Sequence, residues 1–144
     1  MVLVTLWGGV GCGSSQAVRG SHPDGVHPGL RQRGKASFYS SSLAGRPTAS
    51  GEPYRPEKRT AAHLELPLGT VVRVYRLSKD GVATGQSVEV RINDRGPYGP
   101  GRILDLSLAA ARALDMVRTG VVLVEVEVLS VPEKRRKRGE RQRR

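Results

Sequence analysis

A mainly β fold, closed into a small barrel with one or two short helices, is what this sequence predicts, and three observations predict it. Residues 70–77 (TVVRVYRL), 87–93 (SVEVRIN) and 121–129 (VVLVEVEVL) alternate apolar and polar positions with a period of two. Such alternation marks strands wet on one face. Gly and Pro, 18 and 9 among 144 residues, punctuate the chain at short intervals. Helical spacing occurs in one segment alone, LSLAAARALDM. Many short strands, Gly/Pro-rich turns and one short helix favour a barrel over a sandwich or an α/β sheet.

The elements follow in chain order. Residues 1–12 open with the apolar run MVLVTLWGGVGC, too short for the roughly 20 residues of a spanning helix. The run reads as the apolar region of a secretory signal. Gly9 and Gly11 flank Val10 before Cys12, which resembles a bacterial lipoprotein cleavage box with Cys12 as the lipidated residue. Gly9 stands where such boxes carry Leu, and no Lys or Arg precedes the run. Residues 13–33 are Gly-, Ser- and Pro-rich without an apolar period, the composition of a flexible linker. His22 and His27 lie in it with no acid or thiol cluster nearby, so no metal site is expected. Cys12 is the single cysteine, which excludes an internal disulfide.

The ordered body is expected over residues 34–130, beginning with a short strand at KASFY (35–39). Within 70–77, Val72 and Val74 face one way and Val71, Arg73 and Tyr75 the other. SKDGVATG then supplies hairpin chemistry through Asp80-Gly81 and Gly85. Val88, Val90 and Ile92 share one face of the next strand, opposite Glu89 and Arg91. Ser107 caps the helix, and Gly120 lies beyond its end. Glu125 and Glu127 face outward from the last strand. Residues 131–144 form a basic tail. The last twelve hold eight Lys or Arg against two Glu, a large part of the net charge of +11. Its expected partners are anionic envelope polymer or lipid. Specific nucleic-acid binding is not expected, because the body has no helix-turn-helix, zinc or RNA-stacking pattern.

Between the strands, five motifs together are specific: TASGE, TAAH, LPLGT, NDRGP and RILDLS. They lie in GKASFYSSSLAGRPTASGEPY, TAAHLELPLGTVVRVYRL, VRINDRGPYGPGRILDLSLAAARALDM and GVVLVEVEVL, in order across residues 34–129. In these pieces the chain resembles the rare lipoprotein A (RlpA-like) family. The resemblance implies a six-stranded double-psi β-barrel and an exported protein of the bacterial envelope. It implies an endo-type lytic transglycosylase that cleaves peptidoglycan glycan strands to 1,6-anhydro products, acting as a monomer without metal or organic cofactor. Well-known members often carry a carboxy-terminal peptidoglycan-binding domain, and this chain ends in the basic tail instead. The alternative is a non-catalytic glycan-binding or wall-loosening module of the expansin kind.

Cleavage without water needs a carboxylic acid that protonates the leaving oxygen, and a base that takes the proton of the sugar's 6-hydroxyl. The resemblance points to Asp94 of NDRGP and Glu52 of TASGE for these roles, with His63 of TAAH orienting a carboxylate or bonding the sugar. Asp94 is the first choice as acid/base. Glu52 would stabilise the developing positive charge or share the proton work. Arg95 beside Asp94 opposes an acid role by favouring the ionised carboxylate. The objection lapses if Arg95 points away or pairs with Asp105; otherwise Glu52 is the better acid. Tyr39, Tyr54 and Tyr98 are candidates to stack on sugar rings. Thr48, Ser50, Asn93 and Arg95 are candidates to bind the sugar's polar groups. The competing reading makes Asp94 a loop cap, the hydroxyls and Asn93 loop ties, and Asp105 a structural partner of Arg95 or Arg102.

Overall fold

The computed structural model describes residues 25–133. Cys12, the leader, most of the linker including His22, and residues 134–144 of the tail lie outside the described residues. Six strands are present: β1 (Arg31–Phe38), β2 (Thr60–Ala62), β3 (Val71–Leu77), β4 (Ala83–Asp94), β5 (Arg102–Leu106) and β6 (Val122–Ser130). They close into a barrel in the order β1-β5-β2-β4-β3-β6. Two pairings, β1 with β5 and β2 with β4, are parallel, and the other four are antiparallel. One short helix, α1 (Leu108–Ala113), and a 3-10 turn at Ser41–Leu43 complete the elements. Among the described residues no helix is long and apolar enough to cross a membrane.

The alternating segments form β3, β4 and β6, and their apolar faces make the core. Val72 and Val74 lie across from Val90 and Val88, and all four are buried with Ile92, Val124 and Val126. The β3–β4 hairpin turns where Asp80-Gly81 predicts it. Gly81 adopts φ 78°, a left-handed conformation natural to glycine. Gly81 N–H donates to Ser78 O at 2.9 Å, and Ser78 N–H to Val82 O at 2.7 Å. On the outer wall Arg31 pairs with Glu125 and Glu127, Arg33 with Glu125, and Arg73 with Glu89.

β1 starts earlier than the expected KASFY strand and takes in three residues of the segment read as linker. Arg31, Gln32 and Arg33 carry no apolar signal, yet they pair with Glu127, Val126 and Glu125 across β6. Upstream, Gly29 N–H donates to Val128 O, and Val26 is buried against the core. Charge complementarity across the ladder, rather than burial, extends this strand.

α1 plugs the barrel. Ala110, Ala111, Leu114 and Met116 are fully buried, and the helix packs against β4 and β1. Ser107 caps it as the sequence predicts, accepting from Ala110 N–H at 3.3 Å. The same hydroxyl accepts from Thr60 N–H at 3.3 Å, which joins the helix start to β2.

Candidate active site

Three segments meet beside the short strands β2 and β5: the exit of β1 at Tyr39, the exit of β4 at Asp94, and the loop of residues 40–59. The loop folds back on itself through a bridge between Pro47 and Pro53 and through Tyr54 N–H donating to Arg46 O at 2.7 Å. Its tip is tied to β4, because Ser50 N–H donates to Asn93 O at 3.0 Å. Between these segments lies a cavity of about 330 Å³, lined by Tyr39, Leu43, Arg46, Thr48, Tyr54 and Asp94 together with Pro47.

Asp94 is the one carboxylate on that lining, and three donors fix it. Its Oδ1 accepts from Ala49 N–H and from Arg95 N–H, each at 2.9 Å. Its Oδ2 accepts from the Tyr39 hydroxyl at 2.9 Å. Burial first, and then the Asp94 carboxylate, push the Tyr39 phenol well above its ordinary range. Tyr39 is therefore a standing donor. Tyr54 meets Tyr39 edge to face, ring centroids 5.2 Å apart, and its own hydroxyl accepts from Leu108 N–H at 3.2 Å.

Arg95 turns away from the neighbouring carboxylate. Its Nη1 donates to His63 O at 2.9 Å and Leu66 O at 2.8 Å, so the guanidinium binds loop carbonyls instead of Asp94, and the objection to an acid role lapses. Nη1 thereby holds residues 63–66 in place. Asp105 pairs with neither expected arginine directly. It accepts from Ser37 Oγ at 2.7 Å, and Arg102 donates to the same hydroxyl at 2.9 Å.

Glu52 does not share the cavity. It lines a separate, small depression with Pro53, Arg55, Lys58, Thr60 and Asn93. Arg91 grips it at both oxygens, 2.5 Å to Oε1 and 3.0 Å to Oε2. That guanidinium, helped by Asn93 and Ser50, holds the carboxyl at about 2. A carboxylate so stabilised is a poor proton donor near neutrality. The expectation that Glu52 shares the proton work is corrected on that ground, and its negative charge is all that remains available.

His63 is corrected as well. Its Nδ1 accepts from Glu65 N–H and Leu66 N–H, both at 3.0 Å, and its Nε2 lies 2.9 Å from Gln32 Oε1. Both ring nitrogens are committed, so the side chain reaches neither carboxylate. Burial lowers its pKa and keeps the ring neutral. What ties His63 to the site is its backbone, whose N–H donates to Asp94 O at 3.2 Å.

The remaining candidates divide. Thr48 lines the cavity, but its hydroxyl donates to Glu52 O at 2.6 Å and shares a hydrogen with Ser50 at 2.9 Å. Asn93 is buried and ties the loop. Tyr98 stands 82% exposed on the 95–101 loop, outside the cavity lining. Arg46 and Leu43, which sequence reasoning did not single out, line it instead. Neither belongs to a polar motif, and only the folding back of the 40–59 loop brings them there. Among the described residues no group of three or more His, Cys, Asp or Glu is arranged to hold a metal ion.

The profile of the lytic transglycolase family matches residues 31–126, the barrel itself. A probable endolytic peptidoglycan transglycosylase RlpA of Nostoc sp. is 54% identical over 102 residues, spanning 69% of this chain and 26% of that protein. The endolytic peptidoglycan transglycosylase RlpA of Pasteurella multocida is 46% identical, over 72% of this chain and 33% of that protein. The chain thus spans about a quarter to a third of the length of these relatives. Among solved structures, a Clavibacter michiganensis expansin superposes with TM-score 0.53 at 23% identity, over 72% of this chain and 52% of that one. A Streptomyces papain inhibitor does so with TM-score 0.54 at 23% identity, over 72% and 97%. These two likenesses concern the fold alone.

Proposed function

We propose, from the premise that this chain belongs to the lytic transglycolase family, that it cleaves peptidoglycan glycan strands endolytically to 1,6-anhydro products, with Asp94 moving the proton. One observation carries the reading: Asp94 is the single carboxylate lining a sugar-sized cavity, fixed in place by Tyr39, Ala49 and Arg95. In the reaction the Asp94 carboxylate, held by its three donors, takes the proton of the 6-hydroxyl as that oxygen closes on the anomeric carbon. It passes the proton to the glycosidic oxygen as the bond to that carbon breaks. No water is consumed, and Asp94 ends ionised as it began. Glu52, anchored by Arg91, braces the loop that carries Ala49.

The sugar sits against Tyr39 and Tyr54, with Arg46 and Thr48 at its polar edge. No cofactor enters the scheme, and the protein acts as a monomer on the wall. The reading implies an envelope location, to which lipidation at Cys12 after a leader of residues 1–12 would add an anchor, with the linker as tether.

A second reading has its own support. Two backbone N–H groups on Asp94 Oδ1 are what a loop cap would display, and a barrel with a groove but no proton chemistry would bind or loosen glycan without cutting it. Release of 1,6-anhydro ends from purified glycan strands separates the two. The wild type is expected to release them, and Asp94→Asn to lose at least about a hundredfold, the scale of general acid–base catalysis. Wild-type protein that binds strands yet yields no anhydro ends would establish the second reading.

A further inference from the structure

Arg95 follows Asp94 in the chain, and its own N–H donates to Asp94 Oδ1 at 2.9 Å. Its side chain therefore starts within reach of that carboxylate, yet its guanidinium lies on a neighbouring strand exit. β2 and β4 run parallel with Ala62 in register with Asp94, which sets His63 beside Arg95. His63 N–H donates to Asp94 O at 3.2 Å. The chain then turns, and Arg95 Nη1 donates to two carbonyls of that turn, His63 O at 2.9 Å and Leu66 O at 2.8 Å. Those carbonyls converge because the turn is closed.

The His63 ring closes it. Its Nδ1 accepts from Glu65 N–H and Leu66 N–H, both at 3.0 Å. Accepting there needs the lone pair on Nδ1, and so places the ring proton on Nε2. Nε2 lies 2.9 Å from Gln32 Oε1 on β1, where the carboxamide oxygen accepts that proton and fixes the tautomer. The residue is 4% exposed, and burial favours the neutral ring. A buried imidazole with both nitrogens bound to protein transfers no proton with substrate. It organises, instead, the carbonyls that hold the cation next to Asp94.

We propose that His63 is a positioning residue: through the 63–66 turn it keeps the Arg95 guanidinium off the Asp94 carboxylate, which leaves that carboxylate basic enough to take the sugar proton. The inference deepens the catalytic reading above and rests on it. Without the turn Arg95 has no carbonyl pair to bind, and Asp94 is the anion that its own N–H already touches. An opposite charge that close stabilises the ionised carboxylate and weakens it as a base. If the turn served stability alone, removing Arg95 as well as His63 would add damage. Under the positioning role the second change removes the obstacle, so the two accounts predict opposite signs.

The experiment measures anhydro-end release from purified strands and, in the same full-length proteins, the titration of the Asp94 carboxyl carbon by NMR. His63→Phe keeps a ring and removes the acceptor. It is expected to lower kcat about tenfold or more with KM within about twofold, because neither His63 nor Arg95 lines the cavity. The Asp94 carbon is expected to titrate at lower pH than in the wild type. Adding Arg95→Met is expected to reverse most of both effects. His63→Asn sets an amide oxygen where Nδ1 stands and is expected to keep kcat within about threefold. Failure of Arg95→Met to reverse either effect overturns the inference, as does a loss of about tenfold or more in His63→Asn. Should His63→Phe not fold, as circular dichroism would register, the His63→Asn result decides by that criterion. A wild type that releases no anhydro ends counts against the catalytic reading, while the carbon titration still tests where Arg95 lies.

Discussion

The hydroxyl of Tyr39 is the residue-scale feature on which Asp94 depends most directly. It supplies the single bond to Oδ2, whereas Oδ1 is held by two backbone groups. Hydrogen bonds to charged groups are worth about 1.5–3 kcal/mol. Tyr39→Phe is therefore expected to lower anhydro-end release by about 10–100-fold, with the edge-to-face packing on Tyr54 kept. An unchanged rate would make the hydroxyl incidental. Glu52 calls for a different measurement. Arg91 lowers its carboxyl from the ordinary 4.5 to about 2. The folded-state value being depressed, the stabilisation is complete above 4.5 and is lost as pH falls through about 2. The gap in unfolding free energy between wild type and Glu52→Gln is expected to close over that window in urea titrations. With 37% of the Glu52 side chain exposed, the gap at neutrality stays below about 1 kcal/mol. Asp94 was legible in NDRGP, a polar cluster closing a strand. The Glu52 clamp was not, because Arg91 reads as an outward residue of an alternating strand and its partner comes from a loop 39 residues away. Likewise TAAH carries nothing to say that both His63 nitrogens turn toward Gln32 and residues 65–66.

At the scale of elements, β3, β4 and β6 were legible because each wets one face, so alternation survives in the sequence. β2 and β5 left no such trace. Thr60–Ala62 is three residues long and buried throughout, and Arg102–Leu106 sits between two neighbours in the closed order. A three-residue strand is too short to show a period, and β5 hides its own by carrying the apolar Ile103 on its outer face; six strands followed from the family resemblance alone. Ser107 is where one residue serves two elements. Fully buried, its hydroxyl takes N–H groups from both α1 and β2. Capping alone is worth about 1 kcal/mol, and a donor left unpaired in the interior costs about 1–3 kcal/mol. Ser107→Ala is expected to destabilise the barrel by about 2 kcal/mol, read as a lower urea midpoint at unchanged slope. A loss of only a few tenths would mean that the bond to Thr60 N–H contributes nothing.

For the whole molecule, charge separates what the barrel does from what the tail does. The body neutralises much of its own charge in the Arg–Glu pairs of the wall. The last eleven residues hold eight Lys or Arg against one Glu, which leaves most of the protein's excess charge at one terminus. A dense cationic segment draws the molecule toward anionic surfaces through long-range attraction, and salt screens it with a Debye length of about 10 Å at 0.1 M. Removing residues 134–144 is expected to abolish co-sedimentation with anionic vesicles at low salt, an association that 0.5 M NaCl also reverses in the intact chain. The same truncation leaves the urea midpoint and the anhydro-end yield from soluble strands at wild-type values. If the truncated protein lost cleavage of soluble strands too, the tail would be acting at the Asp94 cavity, and the division of labour by charge would fail.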